Sequence, residues 1–344
     1  MAEELALVVD KPETGDAIAE LREAGLYDDT RRVRERDAGA VEVPIVAAPD
    51  SIEAAPVDGR EVIEQEDPDP RVAGLDDLLA DRGFSETEIA AAPNSWAVIG
   101  DVVLVQFGGC PRREEVAEAL LDLQDAETVL DRKGIEGEHR EPEVEAVAGS
   151  GETETVHTEH GTTYALDLAA VMFSPGNKHE RVRMGEVVAP GERVFDAFAG
   201  IGYFTLPMAR AGAHVTATER NPTAFRYLLE NVPLNDVGEW VRPFRADMRD
   251  AVDAFAKSGE TFDRVVMGHY DAVEYLDPAL AVLAPGGVLH MHAVTPDAEL
   301  PEGPTDRLRE AAREAGRTVE VLDQRQVKTH SEGVYHVVVD ARIS

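Results

Sequence analysis

The run Phe195-Asp196-Ala197-Phe198-Ala199-Gly200-Ile201-Gly202 constrains this chain more than any other stretch. It reads as a strand that enters a tight Gly-x-Gly turn and opens a helix at Tyr203. Gly200 and Gly202 let the backbone approach a ligand closely, and the first N–H groups of the helix suit an anionic or polar group. A dinucleotide fingerprint would place a third glycine three residues after Gly202, but Thr205 stands there, which argues against a nicotinamide cofactor.

From residue 191 onward, apolar strands alternate with helical stretches; 193–195, 214–218, 262–267 and 288–294 are the clearest strands. This alternation predicts a doubly wound α/β domain with a mostly parallel sheet and right-handed crossovers. A helix over 305–315 and strands near 319–322 and 334–339 close the chain. Upstream, β-like runs at 5–9 and 41–46 flank a helix over 12–24, giving a small α+β module over 1–47. Residues 48–70 turn to Ala, Pro, Asp and Glu, with Asp67-Pro68-Asp69-Pro70 opposing helix and strand alike, and read as a linker. A second α+β module, 71–170, holds a strand at 102–105, a helix over 112–123, strands at 128–130 and 164–168, and a polar, Gly-rich stretch over 134–161. The remainder, 171–344, is expected to be the domain that carries the chemistry.

Three acids stand at successive strand ends: Asp196 before the turn, Glu219 ahead of Asn221-Pro222, and Asp247 in Arg245-Ala246-Asp247-Met248. Any one of them alone is an ordinary surface charge or helix cap. Together they outline the crevice where open α/β sheets bind ligands, with Glu219 placed to grip a ribose diol. His269 and Tyr270, at the end of another strand, are expected in the same pocket. His290 and His292 on a central strand read as buried, satisfied histidines, and no metal site is expected.

Composition narrows the classes. Cys110 is the only cysteine, so neither an intrachain disulfide nor a thiolate-rich metal site is available. No apolar run approaches the roughly 18 residues of a spanning helix, and the acidic start is no secretion signal, so a soluble cytoplasmic protein is expected. Asp plus Glu number 68 against 33 Lys plus Arg, a net charge of −35. Such a surface suits molar salt, where the Debye length falls to about 3 Å, and predicts a halophilic source. A nucleic-acid partner is compatible with this charge, although at high salt counterion release contributes little to affinity.

A second motif precedes the first strand of the catalytic domain: Phe173-Ser174-Pro175-Gly176-Asn177-Lys178-His179-Glu180-Arg181-Val182-Arg183. On its own it reads equally as a capped helix with a solvated face. Combined with the Phe198 to Gly202 turn and the Glu219 to Pro222 segment, it resembles the family that contains tRNA guanine-37 N1-methyltransferase and the wybutosine-pathway aminocarboxypropyltransferase. The resemblance covers 96–344, and the first module is similar to that family's small N-terminal domain.

The resemblance implies a seven-stranded, class I methyltransferase-like sheet and S-adenosylmethionine as cofactor. It implies that Ser174, Arg181, Asp196, Phe198, Ala199, Gly200, Gly202, Glu219 and Asp247 hold this cofactor. Glu180, His269 and Tyr270 would be catalytic, with Glu180 as a proton acceptor, and Asn177, Lys178 and Arg183 would meet the substrate. That substrate is tRNA at position 37 of the phenylalanine anticodon loop, met by a monomer. The guanine methyltransferases carry Arg after the Ser-Pro pair and an Asn-Leu-Pro triplet after the fourth strand; here stand Gly176-Asn177 and Gly268-His269-Tyr270. The Ser-x-Gly-Asn segment from Ser174 to Asn177 and the run Ala199-Gly200-Ile201-Gly202-Tyr203-Phe204-Thr205-Leu206-Pro207 are instead similar to the aminocarboxypropyltransferase side. The guanine-37 methyltransferase and a non-catalytic AdoMet- or RNA-binding protein are the competing expectations. Arg31-Arg32 with Arg34, Lys178 with Arg181 and Arg183, and Lys328 with His330 are the basic spots expected to meet tRNA.

Overall fold

A computed structural model describes residues 4–48, 61–65, 68, 74–137 and 141–344. The chain divides into two compact units, Met1–Ser85 and Glu86–Ser344. Among the described residues, no helix is long and apolar enough to cross a membrane.

The first unit is built on Leu5–Asp10, whose LALVVD sequence favours a central strand. It pairs antiparallel with Ala40–Pro44 on one side and Glu61–Glu64 on the other, and Arg34–Glu35 extends the sheet. Helix Thr14–Glu23 closes a core of Leu7, Val9, Ala17, Leu21, Val43 and Ile45. Strand Glu61–Glu64 falls inside the segment expected to be a linker. Its four residues are too few for alternation to show in composition, and the ladder to Leu5–Val8 supplies the order. Most of the rest of that segment lies outside the described residues. Arg31 is a correction: it is buried, and its guanidinium donates to Asp28 Oδ2 and to the carbonyls of Leu5 and Ile45, while Arg34 pairs with Glu42. Two of the three arginines expected at a basic surface spot are spent inside the unit.

In the second unit, Trp96–Ile99, Val102–Val105, Thr128–Glu136 and Glu141–Gly149 form a four-stranded sheet, with helix Arg113–Gln124 beside it and a hairpin, Glu154–Glu159 with Thr162–Asp167, following. Two of these strands occupy the stretch read as polar loop. Glu141–Gly149 has no buried residue, so its hydropathy carries no strand signature. The expected boundary at 170 is not a boundary of packing. Ile99, Leu130, Tyr164 and Leu166 share one core with Val194, Leu206 and Val215, and Asn231 and Asn235 bind the backbone of Ala165 and Thr163.

The seven-stranded sheet runs in the order Val241–Phe244, His214–Thr218, Arg193–Asp196, Phe262–Met267, Leu283–Pro296, Val334–Ile343, Val319–Ser331. The first five are parallel and the last two form an antiparallel hairpin, longer than expected because its edge strand is largely polar. Helices Lys178–Val187, Thr205–Arg210 and Pro222–Leu234 cover one face; Met248–Ser258, Leu276–Val282 and Glu302–Glu314 cover the other. Strand order reverses between Arg193–Asp196 and Phe262–Met267, which opens a crevice at their carboxyl ends.

Candidate active site

The turn after Arg193–Asp196 is shaped first by the chain's own packing. Gly200 has φ +57° and Gly202 φ +105°; a Cβ at Gly200 would strike the Tyr203 ring, and one at Gly202 would lie 2.8 Å from Leu206 Cγ. The helix beyond begins at Thr205, not Tyr203. Asp196 is fully buried and serves that helix: its Oδ2 accepts from Thr205 Oγ1 at 2.7 Å, and its Oδ1 from the Phe198 N–H at 3.4 Å. Asp196, Ala199 and Gly202 therefore stand behind the cavity wall, where they set the turn, whereas Phe198 and Gly200 line it.

Burial, with the nearby Glu219 charge adding to it, pushes the Asp196 carboxyl up to about 6 against the hydrogen bonds that lower it. The folded value exceeds the ordinary 3.8, so this proton stabilises the fold fully below that pH and the contribution is lost as pH rises through 6. The difference corresponds to about 3 kcal/mol. Asp196→Asn is expected to gain about that much relative to the parent between about pH 4 and about pH 8 in denaturant titrations. An equal offset at both pH values would mean that this proton is bound elsewhere.

Glu219 lines the cavity with both oxygens engaged, Oε2 by the Gly200 N–H at 2.8 Å and Oε1 by the Asn221 N–H at 2.7 Å. Burial raises its carboxyl. Asn221 caps helix Pro222–Leu234 through Oδ1 to the N–H groups of Thr223 and Ala224, with Pro222 at the first helical position, so the local sequence fixes where Glu219 ends its strand. Asp247 likewise caps Met248–Ser258 and lines the cavity, with Arg220 Nη1 at 4.0 Å from its Oδ2. Phe198, His269 and Tyr275 form an aromatic wall, with ring centroids 5.1 and 4.9 Å from Phe198, and the Arg249 guanidinium lies 3.8 Å from the Tyr275 ring centroid.

The second motif splits. Ser174, Asn177 and Arg181 line the cavity. Arg181 is buried in a bidentate pair with Glu159, while its Nη1 donates to the Ser174 carbonyl at 2.9 Å and its guanidinium stacks over Phe173. Burial favours a protonated Glu159, but His157 and Arg181 outweigh it and hold the carboxyl near 2. Lys328 Nζ donates to Ser174 Oγ at 2.6 Å, which brings the last hairpin to the first motif.

Glu180 is a correction. It is buried away from the cavity, accepting from Arg325 Nε at 2.7 Å and Nη2 at 2.6 Å. Arg183 is drawn into the same network through Asp340 Oδ2 at 2.6 Å, and Lys178 is exposed outside the cavity. Asp340 also accepts from His290 Nδ1 at 2.6 Å, and Arg264 donates to the other nitrogen of His290, so that histidine is satisfied as expected.

His269 and Tyr270 line the cavity. His292 does so too and is not satisfied: its Nδ1 lies 3.0 Å from His336 Nε2, but its Nε2 has no partner among the described residues, nor has Asn177 Oδ1. Sequence reading missed His336, whose place opposite Val294 depends on strand register. The cleft so lined has a cavity volume of about 140 Å³ and is partly open to solvent. Among the described residues no His, Cys, Asp or Glu cluster is arranged to hold a metal ion.

The TRM5/TYW2 methyltransferase domain matches residues 155–322, and the TYW2 N-terminal domain matches 75–153. The tRNA(Phe) (4-demethylwyosine(37)-C(7)) aminocarboxypropyltransferase of Pyrococcus horikoshii is 38% identical over 270 residues, 77% of this chain and 95% of that protein. A crystal structure of P. horikoshii TYW2 in complex with MeSAdo superposes with a TM-score of 0.66 at 33% identity, covering 78% of this chain and 97% of that one. Trm5b from Pyrococcus abyssi superposes with a TM-score of 0.71 at 30% identity and covers 99% of both chains.

Proposed function

The chain belongs to the TRM5/TYW2 family, and from that premise we propose that it transfers the 3-amino-3-carboxypropyl group of S-adenosylmethionine to C7 of 4-demethylwyosine at position 37 of phenylalanine tRNA, releasing 5′-methylthioadenosine. The observation that carries this reading is Gly268 pressed against Phe204, at the strand end where the guanine methyltransferases present an orienting Asn. A Cβ there would stand 2.7 Å from Phe204 Cε2.

The cavity fits S-adenosylmethionine. Glu219 stands at a strand end with lone pairs left over for a ribose diol, Phe198, Met248 and Tyr275 offer an apolar slot for a purine, and buried Asn177 Oδ1 awaits a donor. Bound there, the cofactor supplies a sulfonium carbon open to in-line displacement. The protein's share is to hold the ribose through Glu219 and to seat the accepting base beside His269, Tyr270 and His292. Glu219→Ala removes the anchor of the Gly200 turn and is expected to weaken S-adenosylmethionine binding by about 1–3 kcal/mol in a calorimetric titration. Unchanged affinity would place the ribose elsewhere.

The guanine-37 N1-methyltransferase is the second reading. It is favoured by the 94% mutual coverage of this chain and P. abyssi Trm5b at 31% identity. Mass spectrometry of the nucleosides in treated tRNA separates the two.

The wider reading has a cytoplasmic, archaeal and halophilic monomer, with residues 71–170 on the tRNA side and the anticodon loop entering the cleft. The net charge of −35 supports its halophilic part. Melting temperature and transfer activity are both expected to climb steeply from dilute buffer to molar KCl; a melt indifferent to salt would refute halophily.

A further inference from the structure

The antiparallel pairing of Leu283–Pro296 with Val334–Ile343 sets His292 opposite Val338 and His336 opposite Val294, so the two imidazoles share a face and meet diagonally. They are 2% and 0% exposed. Their inner nitrogens are 3.0 Å apart, and their outer ones, His292 Nε2 and His336 Nδ1, have no partner among the described residues. His292 lines the cavity against Phe204, with ring centroids 5.3 Å apart, and His336 packs against Tyr270 at 4.9 Å.

Two neutral imidazoles joined by one N–H···N bond carry two protons on four nitrogens. One proton sits in the shared bond, so the other occupies an outer nitrogen and leaves the opposite outer nitrogen bare. When His292 Nδ1 donates, its buried Nε2 is left with a bare lone pair and His336 Nδ1 holds the second proton. A buried lone pair with no donor is costly, and in this tautomer the fold keeps it on His292, a residue of the cavity lining.

Resting on the transferase function proposed above, we propose that His292 Nε2 accepts the proton lost by the tRNA base on substitution, and that His336 is the positioning residue that sets the tautomer of His292. In the step, a π pair at C7 forms the bond to the aminocarboxypropyl carbon as the C–S bond breaks, and that bond's pair stays on sulfur as a neutral thioether. The C7–H pair then returns to the ring, the proton passes to His292 Nε2, and the positive charge that began on sulfur ends on the imidazolium. Glu180, the carboxylate otherwise nearest in sequence logic to this task, is held by Arg325.

The surroundings suit a transient acceptor. Burial first, then Arg325 for His292 and the partner ring for His336, hold both imidazoles down at about 3. Facing them are Arg325, Lys328 and His330 from Val319–Ser331, His290 from the same strand as His292, Asp340 beyond His336, and Glu180 from the helix. A neutral ring is thus ready at working pH, and the imidazolium gives its proton to water when product leaves. Burial and the Arg325 charge make His292 a weaker base than a free imidazole, so the transfer draws on the acidity of the substituted ring cation.

The test uses the full chain with wild-type, His292→Gln and His336→Gln proteins. His292→Gln keeps a hydrogen-bonding side chain without a basic nitrogen; its kcat is expected to fall about 100-fold, with S-adenosylmethionine affinity and the tRNA KM unchanged. His336→Gln is expected to lower kcat about 10-fold, again without a change in KM. Independently of turnover, ¹⁵N-histidine spectra of the wild-type chain should show both rings neutral at about pH 6 and coupled through one shared hydrogen bond. A His292→Gln protein with wild-type kcat, or two rings that titrate separately near the ordinary value, overturns the proposal. Should the product prove to be 1-methylguanosine, the function proposed above falls, yet the N1 proton of guanine must also leave, so the same variant still decides the role of His292.

Discussion

Incubated with S-adenosylmethionine and tRNA carrying the tricyclic base, the protein is expected to release 5′-methylthioadenosine and no S-adenosylhomocysteine, while unmodified tRNA with guanine 37 stays inert. The reason is steric as much as chemical. Gly268 ends strand Phe262–Met267, and the Phe204 ring, itself packed on His292, fills the space that any side chain at 268 would need. An amide that orients guanine therefore has no room without displacing that ring. Gly176 differs: a Cβ there would lie 3.3 Å from Lys328 Cδ, a flexible chain that gives way. Gly268→Asn is accordingly expected to cut transfer at least about 10-fold without creating a guanine methyltransferase, because a misplacement of about 1 Å in the reacting groups costs that much or more. Chromatography of the spent reaction reads the outcome. S-adenosylhomocysteine together with 1-methylguanosine from the parent protein would overturn the proposed transfer in favour of methylation.

Glu180→Ala is expected to act on stability and to leave the chemistry of the folded enzyme nearly intact. Its carboxylate is buried in a bidentate pair with Arg325, which also donates to Asp340 Oδ2 at 2.8 Å. Removing one member of a buried pair costs about 3–5 kcal/mol, and the lower end applies because Arg325 keeps Asp340. At roughly 2–4 °C per kcal/mol for a unit of this size, the melt should fall by roughly 6–12 °C. Differential scanning calorimetry and kcat measured well below the melt separate the two roles. A hundredfold loss of kcat with an unshifted melt would restore Glu180 as the proton acceptor.

What the sequence settled by itself is local. The strand and Gly-x-Gly turn at Phe195 to Gly202, Glu219 ahead of the Asn221-Pro222 cap, and Asp247 at the next helix start are short-range patterns whose geometry follows from backbone sterics and capping within a few residues. From them the doubly wound sheet and its ligand crevice were legible, and nine of the site residues named from the sequence, Ser174, Glu219 and His269 among them, line the cavity. The exposed strand Glu141–Gly149 and the short edge Glu61–Glu64 were not, because neither carries a buried face and the partner strand alone orders them.

What only the tertiary structure decided is the direction and partnership of polar side chains. Asp196 looks the same in sequence whether it faces a ligand or Thr205, and Glu180 whether it faces a base or Arg325, 145 residues away. His290 and His292 lie on one face of one strand, yet one is saturated by Asp340 and Arg264 while the other opens to the cavity with His336 behind it. Burial makes each such choice worth kilocalories, and the register of strands far apart in the chain makes it.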